Sequence, residues 1–208
     1  MNCAFFVSGR GSNFEAVLHK VKSKDLNINI PLLVCNNPTA LAIETAKQEN
    51  IDVFIADNEN ISELLNVLAA KNTDLIVLAG YIKKVPDGII AAYRNRIINI
   101  HPSLLPSFGG KGMFGENVHR AVIERGVKIS GLTVHLVDEV YDNGKILFQK
   151  AVEVLPDDTP QTLAKRILLQ EHDSLWRVIK DFPNGGNNRH GGNSRHGGDD
   201  RHGGDDRL

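Results

Sequence analysis

Asn99 and His101 stand two residues apart in an apolar run, Arg96-Ile97-Ile98-Asn99-Ile100-His101, that breaks at Pro102. In a strand, residues at i and i+2 project from the same face. An amide donor and an imidazole would then leave the strand's end together, a pair suited to holding an oxyanion and managing one proton. Asp142, in Val140-Tyr141-Asp142-Asn143-Gly144, is the candidate carboxylate. Each residue also has a plainer reading. Asn99 can satisfy backbone groups at a strand end, His101 can be an ordinary hydrogen-bonded side chain, and Asp-Asn-Gly is a common turn with a solvated carboxylate.

A second feature is the turn Ser8-Gly9-Arg10-Gly11-Ser12-Asn13 between an apolar strand and a helical pattern. Its glycines permit a tight turn and a close backbone approach, and the helix start offers unpaired N–H groups to an anion. A dinucleotide site would want a third glycine where Phe14 stands, and an acidic residue where Cys35 is followed by Asn36 and Asn37. The Gly-Lys-Ser/Thr of a nucleoside triphosphate loop is missing. The turn therefore suits one phosphate monoester, or an ordinary capped helix start.

These residues need a scaffold, and the chain reads as one. Strand patterns at Asn2–Val7, Ile30–Cys35, Asp52–Ala56, Leu75–Ala79 and Ile97–Ile100 alternate with helical patterns at 14–21, 41–50, 62–71 and from Pro86. A Gly-rich loop follows, then a helix at Asn117–Arg125, an alternating strand around Leu132–Leu136, and a strand at Ile146–Val154. Thr159-Pro160 opens a last long helix to about Lys180, as N-cap and N1. This order predicts a three-layer α/β/α fold with a doubly wound, mostly parallel sheet. Ligands in such sheets gather at the carboxyl ends of strands, where His101 falls.

The 208 residues suit one such domain. With 24 basic against 25 acidic side chains, no global field favours nucleic acid or an anionic membrane. Cys3 and Cys35 lie in apolar runs and read as buried thiols of a reducing compartment. No stretch reaches the roughly 18 apolar residues of a membrane span. A cytoplasmic location is the expectation. Residues 183–208 repeat a unit seen in Asn187-Asn188-Arg189-His190-Gly191-Gly192 and carry one large apolar residue, Leu208. The expected domains are therefore a folded unit at 1–182 and a disordered tail at 183–208. The tail's histidines could bind a metal weakly, although a solvated spacer is the simpler reading.

Asn99-x-His101-Pro102-Ser103-Leu104-Leu105-Pro106, then Gly131-Leu132-Thr133-Val134-His135-Leu136-Val137 and Tyr141-Asp142-x-Gly144, resembles the folate-dependent formyltransferase family. The glycine turn narrows the resemblance to the branch that formylates glycinamide ribonucleotide. The resemblance implies a seven-stranded sheet with one antiparallel strand. It implies 10-formyltetrahydrofolate as cosubstrate, no metal, no nucleic-acid or membrane partner, and a monomer or weak homodimer. Asn99, His101 and Asp142 would be catalytic, with Asp142 keeping His101 protonated near neutrality. Gly11, Ser12 and Asn13 would hold the substrate's phosphate, and Glu171, in Gln170-Glu171-His172, would orient its amine. Ile82, Lys83, Lys84 and Val85, after Ala79-Gly80-Tyr81, would line the folate pocket together with Asn99. His135 matches a family position as a supporting or core residue. Residues 107–114 look like an extended glycine-rich loop, either a cover over the substrates or a surface insertion, with Lys111 able to reach an anion. No counterpart is evident to an arginine that some relatives place near folate, so Lys83 and Lys84 could meet the donor's carboxylates. The alternative is a related enzyme of the family acting on a sugar nucleotide or methionyl-tRNA.

Overall fold

Asn2–Val7 forms β1, and its residues Cys3 to Val7 are all fully buried. Such continuous burial is what a central strand covered on both faces requires. The computed structural model describes residues 1–57 and 60–183. Apart from Pro183, the expected tail lies outside the described residues. After β1 come α1 (Ser12–Lys22), β2 (Asn29–Cys35), α2 (Ala42–Gln48), β3 (Asp52–Ile55), α3 (Ile61–Ala70) and β4 (Leu75–Leu78). The chain continues through α4 (Asp87–Ala92), β5 (Ile97–His101), α5 (Glu116–Arg125), β6 (Ile129–Leu136), β7 (Ile146–Glu153) and α6 (Pro160–Asp181). Pro86 occupies the N-cap of α4 rather than its first turn.

The seven strands form one sheet in the order β3-β2-β1-β4-β5-β6-β7. β6 alone runs against its neighbours, pairing antiparallel with both β5 and β7. The two-residue period of the strands divides the core. Cys3, Phe5 and Val7 pack with Phe14 and Val17 of α1 and Leu163, Ile167 and Leu175 of α6. Ala4 and Phe6 face the other way, onto Leu64 and Leu68 of α3 and Ile89 and Ile90 of α4. Each fully buried large side chain contributes about 1.5–3 kcal/mol over its exposed state. The three layers expected from the sequence are present.

Thr159 caps α6 reciprocally with Thr162. The Thr162 N–H donates to Thr159 Oγ1 at 3.2 Å, and the Thr159 N–H donates to Thr162 Oγ1 at 2.9 Å. Among the described residues, no helix is long and apolar enough to cross a membrane. The winding reverses between β1 and β4, and a ligand crevice forms beyond the carboxyl ends of the strands at such a reversal.

Candidate active site

The turn after β1 is fixed from three sides. Ser8 N donates to Gly80 O at 3.1 Å, Ile82 N donates to Ser8 Oγ at 2.9 Å, and Ala42 N donates to Gly9 O at 3.3 Å. Gly11 takes φ 77°, and a Cβ there would stand 2.7 Å from Ala42 Cβ, so both conformation and space call for glycine. Gly11 is also the N-cap of α1, and no side chain caps the helix. The bond from Glu15 N to Gly11 O at 2.9 Å is the first of the helical ladder. The N–H groups of Ser12, Asn13 and Phe14 precede it, the arrangement that favours an anion.

At the end of β5 the antiparallel register sets Asn99 directly opposite His135 and His101 opposite Thr133. Opposed residues share a face and touch. Asn99 Nδ2 lies 3.1 Å from His135 Nε2, while His135 Nδ1 donates to Leu136 O at 2.7 Å. That second bond leaves the His135 Nε2 lone pair to accept from Asn99, which orients the amide. The other Asn99 N–H has only a 3.5 Å contact with Asp142 Oδ1. Sequence pattern left the phase of His135 open, and the β5–β6 register settles it. Thr133, fully buried, was missed as a support. Its hydroxyl donates to Ser103 O at 2.7 Å and accepts from Leu105 N at 3.0 Å, fixing the turn after His101. Its place in Gly131-Leu132-Thr133 was the available signal.

Asp142 closes the group, in the left-handed region at φ 53°, which aspartate tolerates better than most residues. Its Oδ2 is 3.7 Å from His101 Nδ1 and accepts from Gly110 N at 2.8 Å. Its Oδ1 is 3.6 Å from His135 Nε2. His101 Nε2 donates to Phe108 O at 2.8 Å. The glycine-rich loop is thus bound by its backbone to two of the three polar residues.

Burial lowers the His101 pKa from its ordinary value, and this outweighs Asp142, which acts to raise it. The direction runs against an imidazole held protonated by Asp142. The bond to Phe108 O places its proton on Nε2, so a further proton would enter at Nδ1, facing Asp142. Asp142 stays ionised. Burial pushes its carboxyl up, but the two imidazoles beside it, when protonated, and the Gly110 N–H bring it below the ordinary value.

One cavity of about 750 Å³ joins these groups. Gly11, Ser12, Asn13 and Glu171 line it towards α1 and α6, Asn99, His101 and Asp142 towards β5, and Ile82 towards β4. Glu171 is buried, and Asn13 Nδ2 donates to its Oε2 at 2.7 Å. Burial pushes the Glu171 carboxyl up to about 7, despite that bond. Lys83, Lys84 and Val85 line a smaller pocket of about 70 Å³, shared with Tyr81, Asn99 and Asp142. Val85 is 3% exposed and belongs to the core as well, and Lys84 is paired with Asp87 at 2.9 Å. His119 of α5, also missed, sits buried on the large cavity's wall. Its only sequence signal was a polar residue on the apolar face of a helix. Among the described residues no group of three or more His, Cys, Asp or Glu could hold a metal ion.

The formyl transferase family matches residues 1–179. The chain is 44% identical over 184 residues to an Arabidopsis thaliana protein named phosphoribosylglycinamide formyltransferase, chloroplastic, covering 85% of this chain. It spans only 63% of that plant protein's length. A Bacillus subtilis protein named phosphoribosylglycinamide formyltransferase is 39% identical over 193 residues, covering 89% of this chain and 96% of the relative. The crystal structure of the enzyme of that name from Bacillus halodurans superposes with TM-score 0.80 at 35% identity, covering 86% of this chain and 94% of the other. With the motifs, the sheet order and these likenesses together, the chain belongs to the formyl transferase family.

Proposed function

We propose that this chain transfers the formyl group of 10-formyltetrahydrofolate to the primary amine of glycinamide ribonucleotide, giving the N-formyl product and tetrahydrofolate in purine biosynthesis. One observation carries the reading. Asn99, His101 and Asp142 line the same cavity as the start of α1, which no side chain caps. A phosphate at Gly11, Ser12 and Asn13 anchors the nucleotide, and Glu171 faces its glycinamide end. The β4 side of the large cavity, at Ile82, together with the small adjoining pocket of Lys83, Lys84 and Val85, takes the folate. The names of the relatives favour this substrate over a sugar nucleotide or methionyl-tRNA.

In this reading the amine attacks the formyl carbon and the carbonyl oxygen becomes an oxyanion. The weakly held Asn99 N–H donates to it. The amine must lose one proton and the departing folate nitrogen must gain one. Neutral His101 takes that proton at Nδ1, the imidazolium is held by Asp142, and the proton passes to the leaving nitrogen. Holding both substrates in one cavity supplies a further part of the acceleration. The catalytic unit ends at about residue 182, works as a monomer or weak homodimer, and resides in the cytoplasm, in keeping with free buried Cys3 and Cys35.

The test is a spectrophotometric assay of purified protein with both substrates. Tetrahydrofolate should appear only when glycinamide ribonucleotide is present, with one N-formyl product per folate released. Turnover with a sugar nucleotide or methionyl-tRNA and none with glycinamide ribonucleotide would reverse the assignment.

A further inference from the structure

Arg10 occupies the tip of the glycine turn, between two anchored residues. Gly9 is held through its carbonyl by Ala42 N, and Gly11 is packed against Ala42. The Arg10 backbone therefore has little freedom, while its side chain is exposed on the wall of the large cavity. Four other arginines are engaged, Arg94 with Glu139, Arg120 with Glu116, Arg166 with Asp158 and Arg177 with Asp173, while Arg125, like Arg10, has no ion pair among the described residues but does not line the cavity. Among the described residues Arg10 has no ion-pair or hydrogen-bond partner. Its charge also reaches the α6 side of the turn, where burial lowers the His172 pKa, Glu15 acts to raise it and Arg10 acts to lower it.

The charge balance at this end of the cavity gives the guanidinium a task. A phosphate monoester carries about −1.5 to −2 at neutral pH, whereas a helix start offers the equivalent of about half a positive charge. Main-chain N–H groups alone leave most of that charge uncompensated. A planar guanidinium adds a full charge and can bond two phosphate oxygens at once.

We infer that Arg10 is a substrate-binding residue, its guanidinium closing on the phosphate monoester from the solvent side while Ser12 and Asn13 hold it by their main chain. The inference rests on the function proposed above and sharpens it. The site selects a phosphorylated amine by side-chain charge as well as by the turn. Because Arg10 is exposed and unpartnered, its removal leaves the fold intact.

The experiment compares glycinamide ribonucleotide with its dephosphorylated riboside in the native protein, Arg10→Ala, Arg10→Lys and Lys111→Ala. Lys111 is a second cation on the cavity wall without an ion pair among the described residues. Loss of a charge-assisted bond worth about 1.5–3 kcal/mol corresponds to a rise in KM for the ribonucleotide of about 10- to 150-fold in Arg10→Ala. The kcat should hold, KM for the riboside should not change, and Arg10→Lys should recover part of the loss. Inorganic phosphate, as a competing ligand, should weaken by a similar factor. An equal loss on both substrates, an unchanged KM, or a phosphate preference that disappears in Lys111→Ala instead would each overturn the role of Arg10. A native protein that forms no N-formyl product fails at the earlier step, the proposed function itself.

Discussion

His101 and Asp142 are an unequal pair: burial pushes the imidazole towards its neutral form, while the neighbours of the carboxylate favour its ionised form. That inequality suits the relay proposed above, in which a neutral imidazole accepts the proton that the attacking amine releases. The Asn99-x-His101 spacing was legible in the sequence, since the strand period alone places both side chains together. The charge state of His101 was not. It depends on how much water burial removes, and nothing in the local sequence reports that. His101→Ala and Asp142→Asn should each lower kcat at least about 100-fold, the low end for general acid–base loss. In Asp142→Asn the His101 titration, followed by NMR, should move further down, because the charge favouring imidazolium is gone. Near-native turnover in either folded variant would remove these residues from the mechanism.

At the scale of elements, β5, β6 and the turn before β7 bring the three side chains to one place. Most elements were readable, because β1 and β4 are unbroken apolar runs and Thr159-Pro160 marks the start of α6. What joins the elements was less so. Asn99 meets His135 only in one register of β5 on β6, and a slip of one residue would turn His135 to the other face. The loop's hold on His101 and Asp142 runs through the Phe108 carbonyl and the Gly110 N–H, backbone groups that carry no residue identity. The turn bearing Asp142 has one steric requirement that the sequence hinted at and the structure explains. At Gly144 an added Cβ would fall 1.8 Å from the Leu136 carbonyl oxygen, the same oxygen that accepts from His135 Nδ1. Gly144→Ala must therefore push the turn off β6, carrying Asp142 away from His101 and loosening His135. Overpacking of this kind costs about 1–3 kcal/mol of stability. The expected outcome is a lower Tm together with a fall in kcat that exceeds any change in KM for the nucleotide. A variant that melts lower but keeps native kcat would show that the turn tolerates displacement without moving the carboxylate.

Across the whole molecule, the site ties the first helix to the last. Asn13 and Glu171 lie 158 residues apart, and their 2.7 Å bond is buried between α1 and α6. The chain's two ends of the folded unit thus meet through a titratable group, and global stability should register its proton. In an unfolded chain a glutamate titrates at about 4.3, whereas in the folded protein burial holds Glu171 up at about 7. Between those values the folded state keeps a proton that the unfolded chain has released. The contribution of Glu171 to stability is therefore full below about pH 4.3 and declines as pH rises through about 7. Glu171→Gln keeps an acceptor for Asn13 but has no proton to lose. Its Tm relative to the native protein should therefore rise from pH 5 to about pH 7 and level off by pH 8, while its affinity for the nucleotide drops. A Tm difference that stays flat over that range would mean that Glu171 is already ionised in the folded protein, and that the α1–α6 contact is held by a charged carboxylate instead.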